Sequence, residues 1–418
     1  MPDRDTFANL LRSLKSMWRS LRQSIQLHLK TVVAFGVVGG LAFAWSLYIS
    51  SAFPGYLFNS LDFWYGSDTK HVAETMWMLE SERFDRLDSH PLFSLIVLPP
   101  IRFLALYYLN GDVLFAIKLI LAFFAAISAA FVYALARALL RKILFALLTT
   151  AFMLTSATFI FWSAVPETFL FGSAAISATF FFAIVGNSSP RIHVLLHVFS
   201  LAFTITNWLA AILASLSRFK LSSAVMVFLA GAIIASVLAI WQQGFLPGAP
   251  VFFLHMGPED IKREGAFMAL PSLENIPLYV ARVSNYFFAT VIAPEPAYNG
   301  KGVYSSLNYS PVGWIGIASW LVIFGAGVVR AFFISSRRRF LIVVGGFTVY
   351  QLALHLVYGD EPFLYSMHFL PALILIGCLS LTGKYRNYFA ALMCISIICN
   401  LVNNVTRFLE AIALMPPT

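Results

Sequence analysis

Hydrophobic runs of about 20 residues, each long enough to cross a bilayer as a helix, follow one another along most of the chain. They lie near 31–50, 113–140, 143–162, 168–186, 222–242, 311–334, 340–358, 363–382 and 387–406. Two further segments fit the pattern less simply. Residues 191–217 have "PRIH" at one end, "SRFK" at the other and a polar "TNW" (Thr206 to Trp208) between. One long helix would put the two basic ends on opposite faces of the membrane. Two short tilted helices turning at "TNW" keep both on one face, and that arrangement is expected. Residues 91–108, "PLFSLIVLPPIRFLALYY", contain Pro99, Pro100 and Arg102. Proline inside a helix removes a hydrogen bond and clashes with the preceding turn, so a juxtamembrane or re-entrant element is expected here.

Those two choices place every remaining basic cluster on one side: Arg137/Arg141/Lys142, Arg191, Arg218/Lys220, Arg337/Arg338/Arg339 and Lys384/Arg386. Basic loops mark the cytoplasmic face. The expected fold is therefore all-α and polytopic, with about 11 spans, an inside N-terminus and an outside C-terminus. Residues 1–30 precede the first span. Leu10, Leu11, Leu14, Met17, Trp18 and Leu21 alternate there with Arg12, Lys15, Arg19 and Arg22 at helical spacing. This reads as a basic amphipathic helix on the cytoplasmic leaflet or against a partner, not as a cleavable signal. Residues 31–418 form a single transmembrane domain with outer loops 51–112 and 243–310.

Composition agrees. Of 418 residues, 60% are hydrophobic and 11% charged, well below the ~25% charged share of soluble domains. The net charge of +9 resides in the short inside clusters, and no basic stripe with stacking aromatics suggests nucleic acid. Cys378, Cys394 and Cys399 sit in apolar runs without metal or disulfide spacing and read as buried small hydrophobes.

The acids gather elsewhere. In "YGSDTKHVAETMWMLESERFDRLDSHPLF" (Tyr65 to Phe93), Asp68, Glu74, Glu80, Glu82, Asp85 and Asp88 crowd one outer loop. Val72, Met76 and Leu79 fall on one helical face, with Trp77 as an interface anchor. Asp68 stands at the start of that helix. It reads as an N-cap, as a carboxylate fixed at the membrane boundary to act as a general base, or as both.

The order of basic N-terminus, single span, "SDTKHVAETM", "SHPLFSLIVLP" and "NGDVLFAIKL" resembles the GT-C superfamily of polytopic glycosyltransferases. Examples are the protein O-mannosyltransferases and the lipid A aminoarabinose transferases. By that resemblance Asp68 matches the catalytic aspartate, His90-Pro91-Leu92 the "HPPL" segment, and Lys118 the later basic residue. The chain departs from the pattern at Thr69, where a second acid is usual, and in the missing second proline. The match covers residues 31–125. It implies a polyprenyl-phosphate sugar donor and an acceptor hydroxyl on a glycan, lipid or protein of the cell envelope. It also implies an active site at the outer face, in keeping with a bacterial inner membrane. No cofactor is implied; a divalent metal is compatible with such a site but not required.

Such chemistry needs cations or N–H donors for the leaving phosphate. Lys262 and Arg263 in "GPEDIKREG" are the first candidates, Arg282 and Lys301 the second. Glu167 in "SAVPETFLFG" reads as a first-turn acid after Pro166 or as a second acid in the same cavity. In "VYGDEPFLYSMHFLP", Asp360 and Glu361 lie just outside the bilayer, while Tyr365 and His368 share a helix face and are expected to line the donor pocket. Two other readings compete. An O-antigen-type polymerase or ligase would rely on the cations of loop 243–310. A lipid-linked-sugar transporter or flippase would need mid-membrane ionisable groups and paired broken helices.

Overall fold

A computed structural model describes residues 32–53, 55, 63–79, 89–185, 189–246, 249, 265, 268, 275–359 and 361–415. The amphipathic segment 1–30 and the candidate residues Lys262, Arg263 and Asp360 lie outside the described residues. Among the described residues six helices are long and apolar enough to cross a membrane: α1 (Val32–Ala52), α4 (Val113–Leu140), α10 (Leu221–Gln243), α12 (Pro311–Ala331), α13 (Arg337–Val357) and α15 (Arg386–Ala413). The chain is a multi-pass, all-α membrane protein. Shorter apolar helices fill the bundle: α3 (Phe93–Tyr107), α5 (Ile143–Leu154), α7 (Phe169–Ile184), α8 (Pro190–Phe203) and α14 (Ser366–Leu381). Short helices among the described residues are α2 (Thr69–Trp77), α6 (Ala157–Trp162), α9 (Trp208–Arg218) and α11 (Ile276–Ser284). The strands among the described residues form one antiparallel hairpin, β1 (Pro296–Tyr298) with β2 (Val303–Ser305), in register Pro296 to Ser305.

The segment 191–217 folds as the expected pair of short helices. Thr204 is extended, a 3₁₀ turn spans Ile205–Asn207, and α9 returns along α8. Ser215 of α9 receives both histidines of α8, His197 Nε2 at 2.9 Å and His193 Nδ1 at 3.3 Å. Because His193 also packs on Phe219, the "PRIH" and "SRFK" ends stand side by side.

Residues 91–108 form α3 despite Pro99 and Pro100. Its start is tied to the ends of α8 and α10: Leu92 N–H donates to the Ala202 carbonyl, and Gln242 accepts from Leu95 N–H and donates to the Pro91 carbonyl. Its end passes through a short turn into α4, whose Lys118 donates to the Phe53 carbonyl just beyond α1. Both ends of α3 thus stay at one end of the bundle, as a juxtamembrane element does.

Three expectations need correction. The run 143–162 is not one helix; it breaks at Thr155–Ser156, where the Ser156 hydroxyl caps α6 by accepting from Phe159 N–H at 3.3 Å. Helix α15 runs to Ala413, beyond the expected 406, because Asn403, Asn404 and Arg407 find polar partners within the bundle. Only Cys378 is buried; Cys394 is exposed and Cys399 half-buried on the flank of α15.

The loop 243–310 is also more than a surface connection. From Ile276 it is helical to Ala289, the last turn being a π-helix, and Tyr286 sinks fully into the bundle to donate to the Thr348 carbonyl of α13. Burying a phenol in an apolar bundle costs stability unless its hydroxyl finds an acceptor, which fixes the depth of this segment.

Charge divides the bundle into two ends. Arg218 of α9 donates to the Ala183 carbonyl in the last turn of α7, and Arg330 at the end of α12 donates to Thr382. With Arg141, Lys142, Arg191, Arg337, Arg338, Arg339, Lys384 and Arg386 at neighbouring helix ends, this is the basic end. The described acids, Asp68, Glu74, Asp112, Glu167, Glu295, Glu361 and Glu410, all lie toward the other. There Arg407 pairs with Glu295 at 3.0 Å and with Glu410 at 2.5 Å.

Candidate active site

At the acidic end the segments 51–112 and 243–310 are clipped together. Tyr65 N–H donates to the Val303 carbonyl at 2.9 Å, and Val303 N–H to the Phe63 carbonyl at 2.7 Å. Tyr65 (φ 51°) and Gly66 (φ 72°) both adopt the left-handed conformation, a geometry that glycine accepts freely and a tyrosine adopts only when its surroundings fix it. Here the Tyr65 ring is held edge-on by Trp64, Phe161, Trp162 and Phe363. Burial, with the Glu361 and Glu410 charges nearby, pushes its phenol well above the usual tyrosine range.

This turn delivers Asp68 to Glu167. The Asp68 backbone N–H donates to Glu167 Oε1 at 2.8 Å, across 99 residues of sequence. Asp68 occupies the N-cap position of α2, but its carboxylate makes no capping bond to that helix. The cap reading therefore describes its position and not its side chain. Glu167 precedes α7 rather than sitting in its first turn, since Thr168 is the N-cap; its side chain is buried at 4% exposure. Helix α2 ends at Trp77, so Leu79 falls outside it and is exposed, whereas Val72 and Met76 are buried.

Below the acid pair, the first turns of α7 lead inward. The Phe169 ring touches both Tyr365 (5.5 Å) and His368 (5.2 Å), so these two do share a face. One turn deeper is Gly172. A Cβ there would stand 2.5 Å from Asn207 Nδ2 and 2.9 Å from His368 Nε2. Only glycine lets the 3₁₀ turn and α14 approach α7 so closely. Asn207 Oδ1 accepts from Gln351 Nε2 at 3.4 Å. His355, one turn after Gln351, stacks on Tyr365 at 4.8 Å. Arg282 of α11, buried at 2% exposure, donates to the Leu356 carbonyl and lies within electrostatic reach of His355. Asn207 Nδ2, Gln351 Oε1 and His368 Nε2 are buried and have no hydrogen-bond partner among the described residues.

Two other candidates have structural partners. Glu361 accepts from Ser305 N–H (3.4 Å) and Asn285 Nδ2 (3.5 Å), fastening α11 and β2 to the α13–α14 loop. His90 Nδ1 meets the Phe203 carbonyl at 2.5 Å and the Thr204 hydroxyl at 3.3 Å, filling the break after α8. Its ring still stands within electrostatic reach of His368. Lys301 lies in the exposed β-hairpin turn and is not part of the cluster. Among the described residues no group of three or more His, Cys, Asp or Glu side chains is placed to hold a metal ion.

The sequence reading missed Asn207, Gln351 and His355. Gln351 and His355 were detectable, because polar residues four apart in an apolar run share one face and point inward. Asn207 was noticed only as a turn residue. No protein-family model, curated protein or solved structure matches the chain.

Proposed function

We propose that this protein is a GT-C-like glycosyltransferase of about 11 spans, working at the outer face of a bacterial inner membrane. It would move a sugar from a polyprenyl-phosphate donor to an acceptor hydroxyl. The observation that carries the reading is the meeting of Asp68 and Glu167 at the acidic end, directly above a buried group of nitrogen donors.

The division of labour follows from position. The Asp68 carboxylate, half-buried at the boundary, takes the acceptor proton as the hydroxyl oxygen bonds to the anomeric carbon. The bond from that carbon to the phosphate oxygen breaks with its electron pair, and polyprenyl phosphate leaves. Glu167 fixes the Asp68 turn through the backbone N–H. Arg282, His368 and Asn207 supply N–H groups for the growing phosphate charge in a site shielded from water. The acceptor is a glycan, lipid or protein hydroxyl presented at that face.

The test is release of polyprenyl phosphate by purified protein, with a lysate as the acceptor source. Asp68→Asn should abolish release while leaving insertion and thermal stability unchanged. Glu167→Gln, which keeps an oxygen for the Asp68 N–H, should retain more release than Glu167→Ala. Turnover of Asp68→Asn near the wild-type rate would eliminate the base assignment. Loss on Arg282→Gln with Asp68→Asn still active would favour the polymerase or ligase chemistry. Proton-coupled flux of lipid-linked sugar without release would favour transport.

A further inference from the structure

The basic end contains an arrangement that orientation alone does not require. Arg218 closes α9, and Arg339 lies in the first turn of α13, which packs against α9 and α7. The turn carrying Arg339 packs on α9, and Arg339 stands within electrostatic reach of Arg218. No acidic residue stands at this end among the described residues. Arg218 spends its Nε on the Ala183 carbonyl at 3.0 Å, an orphan acceptor at the end of α7. Its Nη2 is buried and has no hydrogen-bond partner among the described residues. Two like charges within reach of each other, with one donor enclosed and unused, are unfavourable, and an anion between them relieves both costs.

Leu216 and Leu221, on either side of Arg218 in the chain, are exposed at 43% and 70%, and Val185 at the end of α7 is exposed too. These are lipid-facing surfaces, so the arginines lie at the depth of phospholipid headgroups. A planar guanidinium binds two phosphate oxygens at once. Basic pockets between membrane helices on the cytoplasmic side suit anionic headgroups. We propose that Arg218 and Arg339 bind the phosphate of an anionic phospholipid, joining the ends of α7, α9 and α13 at the basic face.

The experiment uses the full-length protein in neutral detergent, titrated with dioleoyl-phosphatidylglycerol, dioleoyl-phosphatidylcholine or inorganic phosphate. Thermal midpoint and lipid adducts by native mass spectrometry are read together. Phosphatidylglycerol should raise the midpoint and leave one retained adduct; phosphatidylcholine and inorganic phosphate should do neither. Arg339→Gln should weaken that binding about tenfold or more. Arg339 donates no hydrogen bond to the described residues, so this variant keeps the apo fold even if Arg218→Gln does not. Lys384→Gln, at the same end but outside the pair, should bind like wild type. Equal stabilisation by inorganic phosphate would identify a soluble-anion site and overturn the lipid assignment. So would binding unchanged in Arg339→Gln, or lost as much in Lys384→Gln.

Discussion

Asn404, fully buried on α15, tests whether the break between α5 and α6 is held as described. Its Nδ2 donates to the Thr155 and Val291 carbonyls, each at 2.8 Å, and its Oδ1 accepts from Ala293 N–H at 2.8 Å. Asn404→Leu keeps the number of side-chain heavy atoms and removes these three bonds together with the one Oδ1 accepts from Asn403 Nδ2 at 3.1 Å; Asn403 Nδ2 still donates to the Ala293 carbonyl. Val291 O retains the Ala157 N–H at 2.9 Å, which leaves the Ala293 N–H and the Thr155 carbonyl orphaned. Each orphan costs ~1–3 kcal/mol, so the variant should lose about 2–6 kcal/mol before the gain from burying leucine. The assay is the thermal midpoint in detergent, followed by loss of the monodisperse peak after heating. Asn400 is the control. It lies one turn earlier on α15, and both its side-chain polar atoms are buried without a partner among the described residues. Asn400→Leu should be neutral or stabilising, because it removes buried polar atoms and breaks no bond. The reasoning fails if the two substitutions lower the midpoint equally.

Gly172→Ala should displace Asn207 and His368, costing about 1–3 kcal/mol as overpacking does, and should reduce sugar transfer more than stability; thermal midpoint and release assays on one preparation separate the two. Burial pushes the Tyr309 phenol up to about 12, against a smaller opposing pull from the Ser284 hydroxyl. A raised folded pKa favours the neutral form, so this contribution is complete below pH ~10 and is lost as pH climbs toward 12. The midpoint of the wild type should therefore fall faster than that of Tyr309→Phe across that window, and parallel curves would contradict it. Single cysteines at Ser89 and Ser335, both exposed, should be labelled from opposite sides of intact cells, and labelling from one side would refute the two-ended charge division.

Uninterrupted elements were the legible ones. Helix α4 matches its apolar run from Val113 to Leu140 because its polar side chains, Lys118 and Ser128, find partners on neighbouring segments without opening the helix. The α8–α9 hairpin was legible from its basic flanks, since charge near a membrane reports side as well as position. The break at Thr155–Ser156 was not. The run through it stays apolar, and what takes up the freed Thr155 carbonyl is Asn404, 249 residues away. Likewise Asp68 and Glu167 could each be singled out, but their meeting depends on the Tyr65–Gly66 turn, which in turn depends on rings from Phe161, Trp162 and Phe363.

These cases share a physical cause. Wherever a helix breaks inside an apolar bundle it exposes backbone carbonyls, and each exposed carbonyl recruits a long side chain. Asn404 takes that of Thr155, His90 that of Phe203, Arg282 that of Leu356, and Trp162 that of Phe363 at 2.9 Å. All four breaks lie toward the acidic end, so its polar residues divide into two classes. Those serving a carbonyl hold the architecture. Asn207 Nδ2, Gln351 Oε1 and His368 Nε2 serve none among the described residues, although burying them costs as much. Their placement beside Gly172, five residues along the chain from Glu167, is what supports the proposed ligand-binding role over a well-sealed set of helix breaks.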